Sequence, residues 1–143
     1  MPREYIKGPW QEEERAYSPA VVTRGGRVVW LAGAVAGPDE EGDFEPVEGA
    51  EREGHPLAGD FEAQAHSVFR NLAKTLEKAG GRLQDIVTMT VFIIDVRHGD
   101  SFVKIRKQYF PDGYPASALI TVARLAHPDL LIEIQAVAVI GDE

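Results

Sequence analysis

The segment that most restricts the fold is the last one. From Leu130 to Ile140 the residues alternate, with Leu130, Ile132, Ile134, Ala136, Ala138 and Ile140 on one face. A period of two is the mark of a β-strand. The other face carries Leu131, Glu133, Gln135, Val137 and Val139, so large apolar side chains project from both sides. Ile86 to Val96 makes a similar demand: Val87, Met89, Val91 and Ile93 form one apolar face, and Thr88, Thr90 and Phe92 a mixed one. The sheet holding these two strands needs cover on both faces.

The rest of the chain supplies cover for one face only. Asp60 is placed to cap a helix whose stripe is Phe61, Ala65, Val68, Phe69, Leu72, Leu76 and Ala79, ended by Gly80-Gly81. Ser101 can cap a shorter helix carrying Phe102, Ile105, Tyr109 and Phe110, stopped by Pro111. Ala20 to Thr23 and Arg27 to Ala32 are β-rich runs around Arg24-Gly25-Gly26, a hairpin signal, and Ala118 to Ala123 is a further strand candidate. The order is ββαβαββ, an α+β single domain with a mixed sheet and two helices on one face. The uncovered sheet face predicts an oligomer, since burial against copies of the same chain is the simple remedy.

Residues 1–16 are polar and read as an extension ahead of a domain over 17–143; no repeat or second domain is visible. Gly37 to Gly59, rich in Gly, Pro, Glu and Asp, reads as a long solvated loop without recognisable metal-ligand spacing. With no cysteine there is no disulfide framework and no thiolate chemistry. No apolar run approaches the ~20 residues of a membrane span, and Met1 to Lys7 lacks the apolar core of a signal peptide, so a cytoplasmic location without membrane attachment is expected. The net charge of −8 disfavours nucleic acid as a partner.

At this point the chain resembles the RidA/YjgF family. Ala16-Tyr17-Ser18-Pro19-Ala20-Val21 is similar to the family's start, Leu31-Ala32-Gly33 to its second strand, and Asp60 to Ala65 with Asn71-Leu72 to its long helix. Asp85-Ile86-Val87 through Thr90-Val91-Phe92 is similar to the third strand. Tyr109-Phe110, Pro115-Ala116, Val122-Ala123-Arg124-Leu125 and Ile132 to Ala138 resemble the C-terminal signature. No single piece is specific; their order and spacing from about Tyr17 to Ile140 are. The resemblance implies a chorismate-mutase-like homotrimer with clefts between subunits. It further implies hydrolysis of reactive enamines and imines such as 2-aminoacrylate, with no metal or organic cofactor.

The resemblance also implies an arginine directly after Pro-Ala, gripping the substrate carboxylate, and a glutamate on the last strand that places water. Here those positions are Ser117 and Gln135, and a position often Asn in the second helix is Val103. Serine brings no charge, and glutamine cannot take a proton. The cleft is expected to contain Tyr17, Gly33, Ser117, Leu119 (through its backbone) and Gln135. Tyr17 is alternatively an interface aromatic, Gly33 a strand-end glycine, and Ser117 and Gln135 interface hydrogen-bonding groups. Arg124 is either structural or the source of the missing charge. Glu133 shares a face with Gln135 and is the candidate base, or else an interface carboxylate. His55, His66, His98 and His127 lack ligand spacing and read as surface groups.

Three functions follow. The first is a divergent deaminase-like hydrolase acting on an imine or enamine other than 2-aminoacrylate, such as a less anionic one; returning an arginine at Ser117 is then expected to raise activity on 2-aminoacrylate. The second is a non-catalytic trimer that binds a small metabolite as sensor or scavenger. The third, ribonuclease activity, is disfavoured by the charge and by the absence of basic-aromatic interleaving.

Overall fold

The computed structural model describes residues 3–37 and 54–142. Its strands are β1 (Arg3–Ile6), β2 (Ala20–Thr23), β3 (Arg27–Trp30), β4 (Ala34–Val35), β5 (Ile86–Ile93), β6 (Ala116–Thr121) and β7 (Ile132–Ile140). Helices α1 (Phe61–Lys78) and α2 (Gly99–Tyr109) lie between β4 and β6. The main sheet is mixed and runs β3-β7-β5-β6, with β4 also on β7. β5 and β6 are parallel; the other pairs are antiparallel.

Both helices lie on one side of this sheet, as the pattern of the two long strands requires. Ile132, Ile134, Ala136 and Ala138 of β7 and Met89, Val91 and Ile93 of β5 are buried there with Phe61, Ala65, Val68, Phe69, Leu72 and Leu76 of α1 and Phe102 and Ile105 of α2. The Phe69 ring stacks on Phe102 and Tyr109, with centroids 5.9 and 4.5 Å away, and joins the helices. Asp60 caps α1 by accepting the Ala63 N–H at 3.0 Å, and Gly80, at φ +85°, ends it. The opposite sheet face is open in the single chain: Trp30 is 79 % exposed, Val28 50 % and Ile120 42 %.

The structure departs from the expected pattern in four places. β2 does not form a hairpin with β3 but pairs with β1, with Arg3 opposite Thr23 and Ile6 opposite Ala20. The Gly25-Gly26 turn, with φ of +64° and +80°, instead leads the chain past the end of β7, where a Cβ on Gly26 would come within 2.8 Å of the Ile140 carbonyl. The polar N-terminal segment therefore contains a strand. Arg3 ties it down through bonds to the carbonyls of Val139 (2.7 Å) and Gln84 (2.8 Å) and an ion pair with Asp142 at 3.1 Å.

Next, the β5–β7 register shifts between Ile86 and Thr88. This bulge turns Ile86 into the core and leaves Val87 half-buried, so the apolar alternation fails at the start of the strand. Finally, Ser101 is inside α2, which begins at Gly99 after a short turn at Val96–His98 capped by Asp95. Of the acidic loop Gly37 to Gly59, residues 38–53 lie outside the described residues; its first residue, Gly37, donates its N–H to Ser67 Oγ at 2.8 Å.

Candidate functional site

β6 is an edge strand of the main sheet, and its register decides which way Ser117 points. Ser117 lies beside Met89, whose side chain is in the core, so Ser117 faces the helix side of the sheet. Above it α2 presents Arg106, only 2 % exposed, with its guanidinium carbon 5.0 Å from the Phe102 ring centroid. Arg106 Nη1 donates to Ser117 Oγ at 2.6 Å and Nη2 to the Arg15 carbonyl at 2.9 Å, while Nε is buried without a partner. No carboxylate pairs with this guanidinium among the described residues. Burial, reinforced by the charge of Arg15, lowers the Arg106 pKa to about 10.

The N-terminal segment completes the wall. A single wide helical turn, Gln11–Arg15, ends at Ala16, which is fully buried in the left-handed conformation at φ +58°. A non-glycine residue there is strained. The bend aims the Arg15 carbonyl at Arg106. Ser18 then docks on the start of β6, its N–H on the Pro115 carbonyl at 3.0 Å and its Oγ on that of Tyr114 at 2.7 Å. Tyr17 is thereby delivered beside Ser117. The Arg15 guanidinium reaches outward to Asp100, 2.9 Å away, a carboxylate whose side chain is 87 % exposed. Arg15, Tyr17, Arg106, Ser117 and Leu119 enclose a cavity of about 190 Å³.

Three expected cleft residues, Tyr17, Ser117 and Leu119, are thus together. The others are elsewhere on the chain. Glu133 and Gln135 project from the open face of the sheet, opposite Phe92 and Thr90. Gly33 accompanies Glu133: a Cβ there would lie 2.3 Å from the Glu133 carboxylate, so the absent side chain makes room for that group. Arg124 is exposed in the segment after β6. Ser117 and Gln135 therefore do not meet within one chain.

The sequence reading missed Arg106 and Arg15. The signal for Arg106 was present, since it sits four residues after Phe102 and three before Tyr109, inside the helix stripe. The histidines are not surface groups: all four are half-buried, and each ring is engaged. His66 Nδ1 is 2.6 Å from the Tyr109 hydroxyl, His98 stacks on Phe61 with centroids 4.2 Å apart, His55 bonds the Ala36 carbonyl, and His127 accepts the Asp129 N–H.

The arrangement belongs to a described class of small α+β proteins. Residues 11–140 match the family model for endoribonuclease L-PSP. A RutC family protein of Pyrococcus abyssi is 30 % identical over 122 residues, covering 85 % of this chain and 84 % of that one. A crystal structure of the Rid family protein YyfB from Yersinia pestis superposes with a TM-score of 0.78 at 26 % identity, covering 98 % of this chain and all of that one. RidA from an Antarctic Psychrobacter gives 0.62 at 29 % identity, covering 87 % and 88 %. The chain belongs to the RidA/YjgF family, the endoribonuclease L-PSP group.

Proposed function

We propose that this chain works as a homotrimer that takes a small metabolite into clefts between subunits and hydrolyses an imine or enamine there, releasing ammonia and a carbonyl product. The observation that carries the reading is the convergence of Tyr17, Ser117 and Leu119 on one small cavity at the edge of the sheet. Family membership supplies the reaction class. The open face bearing Trp30, Val28 and Ile120 supplies the surface on which a second copy can close.

Hydrolysis needs a group that activates water within hydrogen-bond reach of the bound carbon. Among the described residues the cavity lining contains no carboxylate. Glu133 is on the opposite face of the sheet, so in this reading it enters the cleft from the neighbouring subunit, with Gln135 orienting water beside it. The lack of a base beside the cavity in one chain favours the second reading, a trimer that binds a metabolite without turnover. One experiment separates them. Imines generated in situ from several amino acids are offered to the parent protein and to Glu133→Gln, and ammonia release is followed. Catalysis predicts release that Glu133→Gln abolishes; release from no imine leaves the binding reading.

A further inference from the structure

The geometry points to Arg106 as the specificity-determining residue of this cavity, a cation held ready for the carboxylate of a small organic acid. This rests on the same cavity as the proposed function, but it concerns what the cavity binds and not whether turnover follows.

Three observations carry it. Arg106 is almost fully buried, yet its neighbours are a hydroxyl, a carbonyl, the Phe102 ring and a second arginine, with no acid paired to it among the described residues. A buried charge without a counter-charge costs more than two hydrogen bonds and one ring contact return, and a neutral donor could make both of those bonds. A purely structural tether therefore does not account for a guanidinium here. Its Nε is also left without a partner in a fold that satisfies most of its buried polar groups. Finally, the lining holds two guanidiniums and a phenol in a chain whose net charge is −8, and Asp100, the acid paired with Arg15, is solvent-exposed on its outer side.

A planar carboxylate satisfies what the site lacks: it brings the missing negative charge and can accept from the fork of Arg106 and from Tyr17 or Arg15. The cavity of about 190 Å³ admits a molecule with only a handful of heavy atoms. The ligand class is thus a short 2-oxo or 2-imino acid or a comparable monocarboxylate. The arginine reaches the cavity from α2, and Ser117 serves to hold it.

The test compares pyruvate with its uncharged amide, pyruvamide, by calorimetric titration of the full chain in its native assembly. The parent should prefer pyruvate by about tenfold or more, the worth of one charge-assisted hydrogen bond or better. Arg106→Met should bring the two affinities together. Should that variant fail to fold, as judged by circular dichroism, Arg106→Lys keeps the charge but loses the fork, and should narrow the preference several-fold. Equal affinities in the parent, no binding of either compound at millimolar concentration, or an unchanged preference in Arg106→Lys would overturn the assignment. A parent that prefers pyruvate but releases no ammonia from any imine keeps this inference and loses catalysis. Deamination of anionic imines that is indifferent to Arg106→Met loses only this inference.

Discussion

Ser117 Oγ accepts a 2.6 Å hydrogen bond from Arg106 Nη1, so the serine that follows Pro115-Ala116 is in direct contact with a guanidinium delivered by another element. Sequence alone suggested that the cleft had lost its positive charge. The structure places a positive charge against that residue.

This reverses the expected effect of restoring an arginine. Ser117→Arg would press a third guanidinium against Arg106 and Arg15. Unit charges roughly 4–8 Å apart near a protein surface repel by about 2–4 kcal/mol. The variant should be less stable by that order in urea unfolding and no better at binding pyruvate. A variant as stable as the parent and more active would show that Arg106 does not occupy the site.

Burial has lowered the pKa of Arg106, which gives carboxylate binding an alkaline limit. Affinity for pyruvate should be level from neutrality to pH 9 and fall as pH rises through about 10, where the free site begins to lose its proton. In the free protein the sign is opposite. A cation whose folded pKa is depressed costs stability while charged in both states. That cost is relieved as pH rises above about 10, where the unfolded chain still holds the proton. Titrations at stepped pH on the parent and on Arg106→Met separate this group from the lysines and tyrosines, because only the parent should show the fall.

The left-handed Ala16 should be intolerant in one direction only. Ala16→Gly relieves the conformation but frees the unfolded chain, and should change stability by less than ~1 kcal/mol. Ala16→Val puts a β-branched side chain at a fully buried, positive-φ position and should cost about 2–4 kcal/mol. Chemical denaturation checks both, and loss of pyruvate binding should accompany the second.

The two sheet faces should respond differently to mutation. Ile134→Ala, in the helix-covered core, should cost about 2–5 kcal/mol in folding. Trp30→Ser, on the open face, should leave the monomer folded but weaken association by roughly 2 kcal/mol or more. Light scattering over a dilution series reads the second effect; a parent that stays monomeric would remove the inter-subunit cleft.

Much of the fold was legible because period-two and helical stripes record burial directly. Ile132, Ile134, Ala136 and Ala138 are buried as their alternation required, and Asp60 caps its helix. The failures arise where a tertiary choice overrides a local signal. Gly25-Gly26 has the chemistry of a hairpin turn, but β2 found its partner in β1. Val87 broke the alternation because a bulge is invisible in composition. Of the residues lining the cavity, Tyr17, Ser117 and Leu119 were named from the resemblance. Arg106 was missed although it lies in the helix stripe, because a charged residue there reads as a flank until its neighbours are known.

The placement of Ser117 and Glu133 on opposite faces of one sheet has a genetic consequence. If each cleft takes Arg106 from one subunit and Glu133 from the next, damage to the two residues lies in separable halves of the site. Subunits carrying Arg106→Met and subunits carrying Glu133→Gln would each be impaired alone on an anionic imine. Refolded together, every mixed ring would bring one undamaged Arg106 face to face with one undamaged Glu133 and so recover a single working cleft. Two defective alleles of this protein would then complement each other, which no arrangement confined to one chain allows.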